Sequence, residues 1–295
     1  GMVVVRAPAT SANLGSGFDV FGVALDRPAD VVRVERADRT TIELSGMGSQ
    51  YIPEDPGKNT AGIVADAMDA PARIHIDKGV RPSSGLGSSA ASAAGAAVAL
   101  NALYDRGLTK EELVRVAAEG EAAVSGEAHA DNVAPAIFGG FTVVTDDGVT
   151  AVDARLPVVA CLPDIVVSTR QARRVIPNTV DLDQLVDTVG SASTLAVGMC
   201  RNDPELVARG LQDEVVTPAR AALIDGYDRV RDAALDAGAT GVTVSGAGPT
   251  MLAVCRHGHR RSVASAMVDA FEDGDVPASA YQTRIGPGAQ VWADG

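Results

Sequence analysis

The residues best suited to chemistry are Pro82-Ser83-Ser84-Gly85-Leu86-Gly87-Ser88-Ser89, one proline, four serines and two glycines within eight positions. They stand at the head of Ser88–Leu103, a run of small residues that reads as a helix. Glycine lets a backbone turn tightly and approach a ligand. The free N–H groups of a helix's first turn, with its dipole, then face that ligand and favour an anion. Ser88 and Ser89 add hydroxyls suited to phosphate or to Mg²⁺. A plain serine cap on a Gly-rich approach is the bland alternative, but this density of Gly and Ser favours phosphate binding. The loop is not of the Gly-Lys-Ser/Thr kind, since the nearest lysine is Lys78, upstream. Gly85-Leu86-Gly87-Ser88-Ser89-Ala90 formally satisfies G-x-G-x-x-A. However, its glycines do not abut the preceding strand and the helix is followed by another helix, which argues against a dinucleotide fold.

Three further segments carry polar groups on Gly-rich loops. Pro8–Asp19 sets Thr10, Ser11, Asn13 and Asp19 among glycines, His129-Ala130-Asp131-Asn132 precedes Gly139-Gly140, and Gly246-Ala247-Gly248-Pro249-Thr250 joins two strands. Each alone is explained by ordinary turn chemistry. His129 alone reads equally as a structural histidine, and Arg173 and Arg220 as solvated surface charges.

The elements that must position these groups mix helix and strand without βα alternation. Strands are expected at Val3–Ala7, Val31–Glu35, Thr41–Leu44, Arg73–Asp77 and Phe141–Thr145, and helices at Thr60–Met68, Ser88–Leu103 and Glu111–Ser125. Beyond Leu156-Pro157 the pattern gives strands at Val158–Cys161, Ile165–Ser168, Gly241–Ser245 and Thr250–Cys255. Helices there are expected at Leu182–Cys200, Pro204–Gln212, Ala219–Ala237 and Arg260–Glu272. The expectation is an α+β protein of two domains, residues 1–155 and 156–295.

With 38 Asp and Glu against 25 Lys and Arg, the net charge is −13, which disfavours generic nucleic-acid binding. Lysine occurs only at positions 58, 78 and 110. Few lysines and many aspartates fit either a high-salt cytoplasm or a GC-rich genome. No apolar run reaches the length of a bilayer span and no secretory leader is visible, so a soluble, cytoplasmic protein is expected. Cys161, Cys200 and Cys255 are too far apart for a disulfide framework and read as small buried apolar residues.

Taken together, in this order and spacing, the four segments resemble the signature motifs of the galactokinase, homoserine kinase, mevalonate kinase and phosphomevalonate kinase superfamily, and its homoserine kinase branch most closely. The resemblance covers nearly the whole chain. It implies a two-domain small-molecule kinase fold with an N-terminal half like the second domain of ribosomal protein S5 and a ferredoxin-like C-terminal half. It implies ATP-dependent phosphorylation of the side-chain hydroxyl of L-homoserine, in threonine biosynthesis, with Mg²⁺.

By position, the resemblance assigns Asn13, Asp131 and Asn132 to the catalytic end and Asp19, His129, Arg173 and Arg220 to the substrate. Asp19 would hold its ammonium, and Arg173 or Arg220 its carboxylate. Asn59 falls where the family holds adenine. Pro82, Ser84, Gly85, Leu86, Gly87, Ser88 and Ser89, with Gly246 and Gly248, fall at the nucleotide, and Ser88 and Glu121 at Mg²⁺. The first-motif lysine of the mevalonate kinase branch is missing, which leaves Asp131 as the only nearby candidate for a base. Another small-alcohol kinase (shikimate or mevalonate) and a catalytically silent ligand-binding member are the alternatives. A homodimer is the only macromolecular partner within the reading, with no nucleic acid and no membrane.

Overall fold

In the computed structural model, which describes residues 1–294, strand β1 (Met2–Ala12) runs five residues beyond the expected Ala7. Val3, Val5 and Ala7 point to one buried face, whereas Pro8–Ala12 is buried throughout. This stretch carries only the short side chains of Pro, Ala, Thr and Ser, which lets its neighbours approach closely on both faces. β2 (Phe21–Arg36) pairs with it antiparallel, with a slip between Pro8 and Thr10 that bends the ribbon.

The chain continues through β3 (Thr41–Gly46), α1 (Thr60–Ala67), β4 (Ala72–Lys78), α2 (Ser88–Leu103), α3 (Lys110–Ser125), α4 (Ala130–Phe138), β5 (Phe141–Thr145) and β6 (Gly148–Val152). One sheet runs β1-β2-β4-β3, with β5 paired to the start of β2 and β6 to β5. Its single parallel pair is β3 with β4. α2 lies close on this sheet: a Cβ at Gly95 would sit 2.7 Å from Val32 Cγ2 and 3.0 Å from the Ala7 Cβ. That proximity is why the helix is built of Ala, Ser and Gly, and why it is buried on almost every side. α3 opens on a reciprocal Thr109–Glu112 cap and closes at Gly126.

The chain then changes sheet. β7 (Pro157–Pro163) is followed by α5 (Thr169–Arg174), α6 (Leu182–Arg201), α7 (Pro204–Gly210), α8 (Val216–Ala221) and α9 (Tyr227–Asp236). Next come β8 (Ala239–Val244), β9 (Met251–Cys255), α10 (Arg260–Asp273), β10 (Ala278–Arg284) and β11 (Gln290–Asp294). The antiparallel second sheet is ordered β10-β7-β9-β8.

The last strand leaves it and pairs with β1, so the proposed division at 155/156 has residues 290–294 crossing back. An apolar cluster containing Ala9, Phe21, Val23 and Leu25 from the first sheet and Val158, Ala160, Leu252 and Val254 from the second joins the two. Phe21 and Phe141 meet edge to face inside it, centroids 5.0 Å apart.

Several expectations need correction. Residues 165–168 are not a strand: β7 ends at Pro163, and Ser168 turns the chain to cap α5 through the Gln171 N–H. The expected helix 219–237 is two helices, because the chain turns at Gly226, whose φ is +84°. α4 was missed, since Pro135 lies inside it. Cys161 and Cys255 are buried as expected, but Cys200 is exposed on α6.

Candidate active site

Three segments distant in sequence converge on residues 82–89. The Thr10 N–H donates to the Leu86 carbonyl (2.9 Å) and the Thr250 N–H to the Ser84 carbonyl (3.1 Å). The Ser245 hydroxyl donates to the Gly85 carbonyl (2.7 Å). Two glycines are obligatory here. A Cβ on Gly85 (φ +87°) would lie 2.4 Å from the Ser245 carbonyl oxygen and 2.9 Å from that of Gly248; one on Gly87 (φ +66°) would lie 2.2 Å from Thr10 Oγ1 and 3.2 Å from Asn132 Oδ1. Gly246 and Gly248 therefore act at the loop by bracing Gly85. Gly87 precedes α2, and no side chain caps that helix. Its first-turn N–H groups remain free to receive an anion.

The loop residues divide by direction. Leu86 is fully buried and anchors the loop, the buried Ser84 hydroxyl donates to the Arg81 carbonyl (2.6 Å), and Pro82 packs beside Gly48. These three shape the loop. The two serines at the start of α2 do not share a role. Ser88 is buried and its hydroxyl donates to the Val80 carbonyl (2.8 Å), whereas Ser89 is exposed to the cleft and donates to Glu121 Oε2 (2.9 Å). Both serines line the cleft with Glu121. Successive helix positions point about 100° apart, and it is Ser89 that faces the carboxylate.

Glu121 is almost fully buried. Its Oε2 also meets His129 Nδ1 (3.2 Å), while Oε1 is buried without a partner. A buried carboxylate oxygen left unpaired is costly, and carboxylate and hydroxyl oxygens are groups that could hold a hard cation. Among the described residues no group of three or more His, Cys, Asp or Glu could hold a metal. The Glu121 hydrogen bond raises the pKa of His129 above the usual value, against the opposing effect of burial.

At the other end of the cleft lie the charges. Arg173 from α5 grips Asp19 with two hydrogen bonds, 2.8 and 3.2 Å, and its NH2 is 3.8 Å from Glu127. Arg220 from α8 is buried; its guanidinium donates to the Ala172 (3.2 Å) and Gly246 (2.9 Å) carbonyls, and among the described residues it pairs with no carboxylate. Burial first, and then the Arg173 charge, lowers its pKa. Both guanidiniums stack on Phe18, at 5.1 and 5.3 Å. Asp131 belongs with this group, its carboxyl raised above the usual range by burial and by the neighbouring Asp19 charge. Asn132, the next residue, accepts from Thr10 Oγ1 (3.2 Å) beside Gly87. The two neighbours thus face opposite ends of the site.

Two predicted residues are engaged in support. Asn13 donates to the Gly246 carbonyl (3.1 Å) and accepts the Asp19 N–H (3.0 Å), so it ties the closing loop to the substrate end. Asn59 caps α1 by accepting the Ala61 N–H and donates to the Pro53 carbonyl. Both line the same cleft of about 460 Å³, which contains Asp19, Ser89, Glu121, His129, Arg173 and Arg220. Sequence reasoning missed Thr10, Phe18 and Glu127 as members of the site, and it passed over Lys78. The scarcity of lysine was the signal for that last residue: a strand-end lysine ahead of the loop is one of only three in the chain.

This architecture matches a known class. Residues 58–140 match the GHMP kinases N terminal domain and residues 195–273 the GHMP kinases C terminal. The chain belongs to the GHMP kinase family. Within it, the chain is similar along its length to homoserine kinases: 72% identical to that of Halorubrum lacusprofundi, over 98% of this chain and 99% of the relative, and 52% identical to that of Methanocella arvoryzae, over 98% and 97%. The crystal structure of homoserine kinase from Cytophaga hutchinsonii superposes with a TM-score of 0.90 at 35% identity, covering 98% of this chain and 97% of that one.

Proposed function

We propose that this chain transfers the γ-phosphate of ATP to the side-chain hydroxyl of L-homoserine, giving O-phospho-L-homoserine. The observation that carries the reading is the Asp19–Arg173 pair beside the buried, unpaired Arg220. An amino-acid zwitterion can satisfy all three at once, its ammonium on Asp19 and its carboxylate on the guanidiniums. An acid without the ammonium would bring no partner for Asp19. The full-length similarity to homoserine kinases supports the same substrate.

In this mechanism the loop glycines and the N–H groups at the start of α2 hold the phosphates, and Ser89 with Glu121 would hold Mg²⁺. When bound, the ion neutralises developing charge on the phosphoryl oxygens. Phosphoryl transfer through a loose transition state asks mainly for positioning. Asp19, Arg173 and Arg220 supply it by fixing the backbone end of the amino acid. Asp131, held among these charges, serves substrate placement, and Asn132 serves the phosphate end. No general base is assigned.

Threonine biosynthesis is the pathway and the cytoplasm the location that go with this reading. Among the described residues no helix is long and apolar enough to cross a membrane. A homodimer is the assembly we assign. Leu182, Leu185, Val186 and Val189 form an exposed stripe on α6, and two such stripes laid antiparallel set Leu182 against Val189 and Leu185 against Val186.

ATP consumption with a panel of small alcohols tests the activity. Turnover with L-homoserine far above that with mevalonate or shikimate is expected. Equal rates with mevalonate would overturn the substrate, and no turnover with any alcohol would make the chain a silent ligand-binding member. The mass in solution tests the dimer.

A further inference from the structure

Behind the phosphate loop, and unused by the mechanism above, lies a buried ion pair. Asp30 in β2 and Lys78 at the end of β4 have side chains 0% and 1% exposed, and they are directly bonded. The remaining two protons of the lysine ammonium go to the Ser88 carbonyl (2.8 Å) and to Ser92 Oγ (2.9 Å). All three donors are spent inside the protein, so Lys78 has none left for a phosphate. Asp30 is equally committed: Oδ1 accepts the N–H groups of Gly79 (2.9 Å) and Val80 (3.1 Å), and Oδ2 accepts the Ser92 hydroxyl (3.1 Å) as well as the lysine.

These partners share one property. Gly79 and Val80 are where the chain leaves the sheet to enter the loop, and Ser88 and Ser92 are in the first turns of the helix that receives it. A third tie, from the Ser88 hydroxyl to the Val80 carbonyl (2.8 Å), closes the same neck. Stability is a weak explanation for such a pair, because well-packed apolar replacements of buried ion pairs are often no less stable. What a charge pair with six directed hydrogen bonds supplies is fixed geometry.

We infer that Asp30 and Lys78 are positioning residues that clamp the neck of the phosphate loop, and that the spacing of the loop's N–H groups, hence the affinity for the phosphates of ATP, depends on the clamp. This rests on the nucleotide-loop reading of residues 82–89. The clamp acts on the phosphates alone. The nucleoside and the amino acid are held by other elements.

The test is a charge-neutral double variant, Asp30→Asn with Lys78→Met, which leaves no unpaired charge in the interior. Folding is checked by thermal unfolding, and binding of ATP, adenosine and L-homoserine is measured by calorimetry and by competition. The expected result is a folded protein with ATP affinity reduced at least tenfold, while adenosine and L-homoserine bind as in the wild type. ATP affinity within twofold of wild type, or an equal loss for adenosine, would overturn the clamp. Should the double variant fail to fold, Ser92→Ala removes two of the hydrogen bonds and leaves the ion pair whole. A several-fold loss for ATP alone is then expected, and unchanged ATP affinity refutes the proposal. A wild-type protein that binds no ATP would instead refute the nucleotide-loop reading.

Discussion

At the phosphate end of the cleft, Gly85, Gly87 and the start of α2 present backbone N–H groups, with the Lys78 ammonium spent on protein partners behind them. At the substrate end, Asp19, Glu127 and Asp131 gather near Arg173, and Arg173 and Arg220 stack on Phe18. One end recognises by main-chain shape and the other by side-chain charge. A main-chain site is intolerant of any added atom but indifferent to pH. A charge site tolerates substitution of one member, with graded loss, and responds to titration.

The sharpest break of this comparison is Gly87→Val. With φ at +66° and Thr10 Oγ1 only 2.2 Å from the new Cβ, the loop cannot keep its shape. ATP affinity is expected to fall by about 100-fold or more, the loss of some two strong anion contacts, with L-homoserine binding preserved. Calorimetry on the folded variant decides, and wild-type ATP affinity would mean that main-chain approach is not the device.

Next in size is the contrast between neighbours. Ser89→Ala should lower kcat by roughly 10²-fold, the scale of one removed transition-state contact. Ser88→Ala should leave turnover near wild type and cost about 1 kcal/mol of stability for its lost hydrogen bond. Steady-state rates and melting curves of the pair test this, and the opposite pattern would return the metal role to Ser88.

At the charged end the effects are graded. Asp19→Asn should raise KM for L-homoserine about tenfold with kcat largely kept, because a binding contact serves ground and transition states alike. A kcat collapse would make Asp19 a participant in the chemistry.

The smallest effect is a pH dependence of stability. The Asp131 carboxyl holds its proton more tightly when folded than at its unfolded value of 3.8. Its contribution is therefore full below that value and is lost as pH rises through the folded one. Asp131→Asn should be more stable than wild type at neutral pH, with the difference shrinking on acidification. Denaturant midpoints across pH measure it, and a pH-independent difference would remove Asp131 from the buried charge group.

The same contrast explains what the sequence disclosed. A main-chain site constrains residue type locally, so Gly85 and Gly87 were visible as a motif, and α2 was placed from Ser88 to Leu103, its observed bounds. The charged end depends on which surface a side chain meets after folding. Arg220 reads as an ordinary surface arginine until α8 is seen to bury it. The choice between Ser88 and Ser89 turned on a single helical step, and Asp131 against Asn132 on another. The resemblance could name these positions but not their directions. α4 escaped because its Pro135 argues against a helix on local grounds, whereas tertiary packing keeps it buried and helical. Lys78 escaped for another reason: its rarity singles it out, but its role depends on Asp30, 48 residues earlier, which only folding brings to it.

The return of β11 to the edge of β1 has a consequence for how the protein is born. Val3 lies opposite Asp294, so β1 finds its outer neighbour only after β11, far along the chain, has been made. Until then β1 is an open edge, able to pair with the wrong chain. Contacts of such sequence separation are slow to form. The strand that continues into Thr10 and Asn13 would therefore acquire its outer support only after the second sheet has been made, so the phosphate-handling half waits on the other for its completion.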